Sequence, residues 1–339
     1  MLEPGATIDG YVIEAEIGVG STSVVYRVRK AGRSRRFALK VLSLRHPEVL
    51  MRMRREGELM AKLDHPNLVR VFDVVEVDTR MGLVMDWVAG PSLERWLSQR
   101  GPVPFEVRHQ LAEGIVSGMA HAHGRGLVHR DLKPANVLLD LRDGRPPVPR
   151  IADFGLAKMV GDPQRPSHTR TGHALGTPRY MAPEQIRSAK HVDARADVFS
   201  LGCVLYEIYC RRVAFPQPDM LSVFNAVCNG EFDDPGSDPD VPPEVARAIR
   251  TALSVDPEDR PRHAAALLEQ VWSPADVQTE VFSRRKRTPA PEPARRVQPP
   301  HRSPPWWTGA AAVGFGSLIG AGVAIGLLVL VMMALWWVN

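Results

Sequence analysis

His129-Arg130-Asp131-Leu132-Lys133-Pro134-Ala135-Asn136, followed seventeen residues after Asn136 by Asp153-Phe154-Gly155, decides how this chain of 339 residues is read. Moving a phosphoryl group from ATP to a hydroxyl needs an acceptor for the hydroxyl proton, a cation beside the moving phosphate and oxygen ligands for Mg2+. Asp131, Lys133, Asn136 and Asp153 supply that set. Any one of them alone reads equally well as a polar loop residue; the joint spacing does not.

Working upstream, Ile17-Gly18-Val19-Gly20-Ser21-Thr22-Ser23-Val24-Val25 follows an alternating stretch and leads into another. A lone Gly-x-Gly is a weak signal, since glycine serves turns everywhere. A dinucleotide-binding loop opens a helix, whereas here the alternation continues, which suits a strand hairpin lying over a nucleotide. Further on, Phe37-Ala38-Leu39-Lys40-Val41 sets a lysine inside an apolar strand, a costly position unless the charge is paired. The helix expected over roughly Pro47–Leu63 carries Glu56 on the same stripe as Val49, Met53, Met60 and Leu63, while Glu58 points away. Lys40 and Glu56 therefore explain each other better than a snorkelling lysine and a solvated glutamate would.

The coarse pattern is α+β. Alternating stretches at Tyr11–Ile17, Val24–Val28, Phe37–Leu42, Leu68–Val77 and Met81–Trp87 read as a small antiparallel sheet with one helix among its strands. From Ser92 onward helical periodicity takes over: Leu111, Ile115, Met119 and Ala122 share a face, and Asp197–Cys210 reads as a buried helix. The Pro-rich stretch Asp140–Arg150 reads as a surface hairpin extension without function. The three cysteines form no CxxC pair, which argues against a disulfide framework or a zinc site.

On these residues the chain resembles the eukaryotic-type Ser/Thr protein kinases of bacteria, across about residues 10–272. The resemblance implies a bilobal fold, with a 1–10 extension, a kinase domain over 11–272, its smaller lobe at about 11–87 and its larger lobe at about 88–272. It implies that Ile17, Gly18, Val19, Gly20, Ser21 and Val25 cover the nucleotide, with Ala38 beside it, and that Lys40, paired with Glu56, holds the α- and β-phosphates. Leu83-Val84-Met85-Asp86-Trp87-Val88 looks like the hinge, with Met85 as gatekeeper and the backbones of Asp86 and Val88 reading adenine. Asp131 and Lys133 take the catalytic roles; Asn136 and Asp153 bind Mg2+, for which Mn2+ can substitute. Glu184 of Ala182-Pro183-Glu184 resembles the anchor of the activation segment, Arg260 its salt-bridge partner and Asp197 the brace of the catalytic loop. Lys133 and Gly176-Thr177 favour serine and threonine over tyrosine. Ser23 stands where the family carries a third loop glycine, a departure expected to affect loop mobility. Thr169 and Thr171 are the expected autophosphorylation sites, opposite Arg130. A pseudokinase scaffold is disfavoured because Lys40, Asp131, Asn136 and Asp153 are all present, and a small-molecule phosphotransferase because the Glu184–Arg260 pair shapes a protein-substrate platform.

The C-terminal part reads differently. Residues 273–305 are Pro-rich and basic, a linker that cannot build a core. Gly309–Val338 is 30 residues of almost unbroken apolar sequence, long enough to span a bilayer, and the expected helix is 309–337. Trp306-Trp307 and Trp336-Trp337 would lie about 43 Å apart on such a helix, near the two interfaces. Arg284–Arg287, Arg295, Arg296 and Arg302 precede the span, which by the positive-inside rule places the kinase domain in the cytoplasm, in a single-pass cell-membrane protein whose C-terminus lies outside. Adjacency to the span disfavours reading Arg284-Arg285-Lys286-Arg287 as a nuclear signal. Gly316 with Gly320 and Gly322 with Gly326 suit close helix contact, hence a homodimer. No cleaved signal peptide and no external sensor domain are expected. The same basic stretch, +6 between Arg284 and Arg302 against +5 for the whole chain, leaves the globular part near neutrality and argues against nucleic acid as a partner. The expected partners are ATP, protein substrates and membrane lipid.

Overall fold

The computed structural model describes residues 2–20, 23–43, 47–99, 101–141, 145–154, 178–187 and 192–272. All of them belong to one compact unit, Met1–Arg287. Ser21, Thr169, Thr171, the linker 273–305 and the expected span 309–337 lie outside the described residues. Among the described residues no helix is long and apolar enough to cross a membrane.

The first lobe runs β1 (Thr7–Ile8), β2 (Tyr11–Val19), β3 (Ser23–Lys30), β4 (Arg36–Leu42), α1 (Pro47–Met60), β5 (Val71–Val77) and β6 (Arg80–Asp86). The strands form one antiparallel sheet in the order β1-β2-β3-β4-β6-β5. Alternation sorts the side chains. Tyr11, Ile13, Tyr26, Val28, Phe37, Leu39 and Val41 gather on one face with Val75, Val77 and Val84. Residues between them, Ala38 and Lys40 among them, take the opposite face. Each large apolar side chain so buried contributes roughly 1.5–3 kcal/mol. The strand β1 was not visible in the sequence, because two residues are too few to show alternation. The helix α1 stops at Met60, three residues short of the expected end. Gly57 lets α1 lie close on the sheet, since a Cβ there would sit 3.0 Å from Val74 and 3.1 Å from Leu83.

The second lobe contains α2 (Leu93–Ser98), α3 (Phe105–His123), the hairpin β7 (Val137–Asp140) and β8 (Val148–Ile151), α4 (Pro183–Arg187), α5 (Ala194–Cys210), α6 (Met220–Asn229), α7 (Pro243–Ala252) and α8 (Ala264–Trp272). The helix α5 is buried almost all round, which its apolar composition dictates. Asp193 caps its start by accepting the Arg195 N–H, and Arg211 ends it in the left-handed region at φ 59°. One core joins the lobes, from Leu42, Met60 and Met85 through Ile115 and Met119 to Phe199 and Leu205. The cysteines are free thiols.

After the hinge the chain crosses between the lobes at very short range. A Cβ on Gly90 would fall 1.8 Å from the Leu139 carbonyl oxygen, and the Leu139 N–H donates to the Pro91 carbonyl at 2.9 Å. Gly90→Ala is therefore expected to destabilise the fold by about 1–3 kcal/mol. Gly101→Ala, where nothing lies within 4 Å, should leave the urea unfolding midpoint unchanged.

Candidate active site

The site is built on the carboxylate of Asp197, in the first turn of α5 and fully buried. A buried charge requires partners. Asp197 accepts the backbone N–H groups of His129 at 2.6 Å and Arg130 at 2.7 Å, and His123 Nε2 lies 3.0 Å away. Arg130 sits at φ 63°, a strained setting for a residue with a Cβ. The Asp197 bond and a second from Gln185 Nε2 to the Arg130 carbonyl (2.9 Å) hold it there.

His129 carries this order to the next strand. Its Nε2 donates to the Ala152 carbonyl at 3.0 Å and its Nδ1 accepts the Asp131 N–H at 3.2 Å, a pattern that requires the neutral ring. Burial pushes its pKa down, against the pull of Asp197, the Ala152 carbonyl, Asp131 and Asp153. Phe154 packs against the same ring, centroids 4.6 Å apart.

The remaining polar residues converge around Asp131. Its Oδ2 accepts from Lys133 Nζ at 3.0 Å and Asn136 Nδ2 at 3.2 Å, and its carbonyl accepts from Asn136 Nδ2 at 2.7 Å. With its amide hydrogens turned toward Asp131, Asn136 presents Oδ1 on the other side. The Ala152 N–H donates to the Asn136 carbonyl at 2.8 Å, and Val137 pairs with Ile151. The hairpin thus sets Asn136 beside Asp153. Asp153 is also left-handed, at φ 61°, and its Oδ1 meets Lys40 Nζ at 2.6 Å. Glu56 lies half-buried on α1 and has an interaction of its own.

Across the cleft, Ala38 pairs with Met85 and Val25 with Lys40, while Ile17 and Val19 are exposed on the loop strand. The Gly20 N–H donates to the Ser23 carbonyl at 2.8 Å, and the Ser23 side is buried, so the residue in the third glycine's place helps to close this turn. Met85 and Val88 are buried. The Asp86 N–H donates to the Arg70 carbonyl at 2.9 Å, so of its two backbone groups only the carbonyl can address a base.

Arg260, fully buried at its side chain, forms a bidentate pair with Glu184 at 2.8 and 3.0 Å and also donates to the carbonyls of Ser254, Val255 and Arg195. Tyr180 Oη donates to Glu207 at 2.6 Å; burial and that carboxylate raise the phenol's pKa, and burial raises that of Glu207.

Several positioning residues were not read from the sequence. Asn67 Nδ2 donates to the Pro149 carbonyl, the Ile151 N–H donates to the Asn67 carbonyl and the Val69 N–H to the Ile151 carbonyl. This loop of the first lobe thereby lies along β8, with Leu68 bridged to Ile151. Gln185 joins the catalytic loop to α4. The only local signal was the cluster His65-Pro66-Asn67 beyond the helix.

The donor set fits Mg2+. Among the described residues no group of three or more His, Cys, Asp or Glu could hold a metal. One carboxylate and one amide oxygen, from Asp153 and Asn136, are hard ligands of the kind Mg2+ uses when phosphates and water complete its shell.

The family model described as protein kinase domain matches residues 11–273. The chain is 32% identical over 289 residues to the serine/threonine-protein kinase pkn3 of Myxococcus xanthus, covering 83% of this chain and 52% of that protein. It is 33% identical over 306 residues to the serine/threonine-protein kinase PknL of Mycobacterium bovis, covering 89% of this chain and 73% of that protein. The chain thus spans about half the length of the first of these relatives. Among solved structures, that of Rad53 1–466 in complex with AMP-PNP superposes with a TM-score of 0.64 at 28% identity, covering 78% of this chain and 65% of that one.

Two expectations follow from the geometry. Arg260→Met leaves Glu184 without its guanidinium and should lower stability by about 3–5 kcal/mol, whereas removing the exposed Arg54–Glu58 pair should not move the unfolding midpoint. The depressed pKa of His129 sets a pH dependence. Above the unfolded value of about 6.5 both states are neutral, and below it the unfolded chain binds a proton that folded His129 refuses. Stability therefore falls as pH drops below that value. Urea midpoints at pH 7.5 and 5.5 should differ less in His129→Asn than in the wild type.

Proposed function

Because the chain belongs to the protein kinase family, we propose that it transfers the γ-phosphate of ATP to serine and threonine hydroxyls of protein substrates. The observation that carries this reading is the convergence of Asp131, bonded by Lys133 and Asn136, with the Lys40–Asp153 ion pair contributed across the cleft.

Each residue then has a task its surroundings permit. Asp131 orients the substrate hydroxyl and takes its proton as the oxygen attacks the γ-phosphorus and the bond to the ADP oxygen breaks. Lys133, already 3.0 Å from Asp131, places a positive charge beside the transferring group. Lys40 holds the α- and β-phosphates, with Glu56 as a further partner on α1. Gly18, Gly20 and the loop around them lie over the phosphates; Ala38, Val25 and Met85 enclose the base, which meets the backbones of Asp86 and Val88. Asp153 and Asn136 would hold Mg2+, with Mn2+ as a substitute, and the ion supplies neutralisation of phosphate charge. The neutral His129 and the Asp197 bonds keep Asp131 in place.

Regulation and location complete the proposal. Thr169 and Thr171 are the autophosphorylation sites, and the Arg130 side chain is the cation that a phosphate there would meet. The apolar stretch 309–337 anchors the kinase as a single-pass membrane protein, with the basic residues before it on the cytoplasmic side and the Gly-xxx-Gly pairs favouring a homodimer.

The test is phosphate transfer by the full chain, reconstituted in detergent with ATP, Mg2+ and a protein acceptor. Asp131→Asn is expected to lower the rate by about 10²–10⁴-fold, and Lys40→Met to abolish turnover, with phosphoserine and phosphothreonine the only products. Phosphopeptide mapping of the active enzyme should find Thr169 and Thr171 modified. Equal incorporation by wild type and Asp131→Asn contradicts the proposal.

A further inference from the structure

The hinge residue Asp86 is gripped from both lobes. It ends β6, and its side chain is mostly buried, at 19% exposure. Oδ1 accepts from Arg35 Nη2 at 2.9 Å, Oδ2 from Arg150 Nη1 at 3.3 Å, and the backbone N–H is held by the Arg70 carbonyl.

The two arginines are themselves held. Arg35, in the connection before β4, lies over the rings of Phe72 (4.8 Å) and Phe37 (5.2 Å), and Arg70 lies over Phe72 as well at 5.3 Å. Such stacking orders a guanidinium that is otherwise largely exposed. Arg150 comes from β8, in the other lobe, and its Nη2 faces Asp140 at 3.5 Å. Two residues beyond Arg150, the Ala152 N–H bonds to the Asn136 carbonyl, and Asp153 follows. The Arg150 side chain therefore joins the hinge to the strand that carries the candidate metal ligand.

We propose that Arg35 and Arg150 are positioning residues that fix the Asp86 peptide and thereby set the preference for ATP over GTP. This rests on the phosphotransfer reading above. Adenine presents an amino group where guanine presents a carbonyl, so an acceptor at the Asp86 carbonyl bonds the first and repels the second. That discrimination depends on where the carbonyl stands, and the Asp86 carboxylate, clamped between two guanidiniums, determines it. Removal of either arginine leaves a mostly buried carboxylate with one cation and lets the peptide shift.

The experiment measures kcat and KM for ATP and for GTP on the full chain, as wild type, Arg150→Met, Arg150→Lys, Arg35→Met and the double Met variant. In Arg150→Met, KM for ATP should rise about 3–10-fold, the effect of one weakened hydrogen bond. Its kcat and its KM for the protein acceptor should be unchanged, and the ATP:GTP ratio of kcat/KM should fall. Lysine at 150 should recover part of the ratio. Arg35→Met, a change at an exposed side chain that leaves folding intact, should shift it the same way, and the double variant further. Unchanged ratios in Arg150→Met and Arg35→Met, or kcat falling equally with both nucleotides, overturn the proposal. Equilibrium binding of fluorescent mant-ATP and mant-GTP reads the same ratio without catalysis. A wild type that transfers no phosphate, with the mant-ATP to mant-GTP binding ratio still falling in Arg150→Met and Arg35→Met, would refute the kinase reading and uphold the clamp.

Discussion

The buried carboxylate of Asp197 is the constraint on which the rest of the site depends. Two adjacent backbone amides bond to it, those of His129 and Arg130, and a third group, His123, closes on the same oxygen as His129. Hydrogen bonds to a charged acceptor contribute roughly 1.5–3 kcal/mol each, enough to offset the left-handed setting of Arg130, whose cost is of order 1–3 kcal/mol. Once Arg130 is fixed, Asp131 can point only where the loop directs it. His129 passes the same order to Ala152, and Gln185 passes it to the segment anchored by Glu184 and Arg260. The helix α5 can carry so costly a charge because its other sides are apolar and packed.

The lobes meet at more than the hinge. Lys40 with Asp153, the Asn67 loop against β8, and Asp86 with Arg150 are three separate ties between them among the described residues. All three end on β8 or the residues just after it, so the strand leading to Asp153 is held from the first lobe at several points. A nucleotide bound in the cleft would touch groups on both sides of these ties.

Much of this was legible because the chemistry demands certain residue types at short range. Asp131, Lys133 and Asn136 lie within one loop, and Asp153 follows after a hairpin, so one line of sequence shows them together. Alternation exposed β2 to β6, and uniform apolarity exposed α5. What stayed hidden depends on distance in the chain. Arg35 belongs to no motif, and Arg150 ends a Pro-rich stretch whose composition reads as a surface extension without function; the structure instead puts Arg150 in β8 and in contact with Asp86, 64 residues away in the chain. The pairing of Lys40 with Asp153 spans 113 residues, a separation at which no local pattern signals a contact. Asn67 acts through its backbone as much as its side chain, which no residue pattern reveals.

The central claim is that these residues form a nucleotide site completed by a divalent ion at Asp153 and Asn136. Titration calorimetry of the full chain with AMP-PNP, in Mg2+ and in EDTA, tests it most directly when wild type is set beside Asp153→Asn. The account predicts that wild type binds the nucleotide much more tightly with Mg2+ than without, and that Asp153→Asn binds weakly and equally in both. Wild-type affinity that is indifferent to Mg2+, or a Mg2+ dependence that survives in Asp153→Asn, would contradict it.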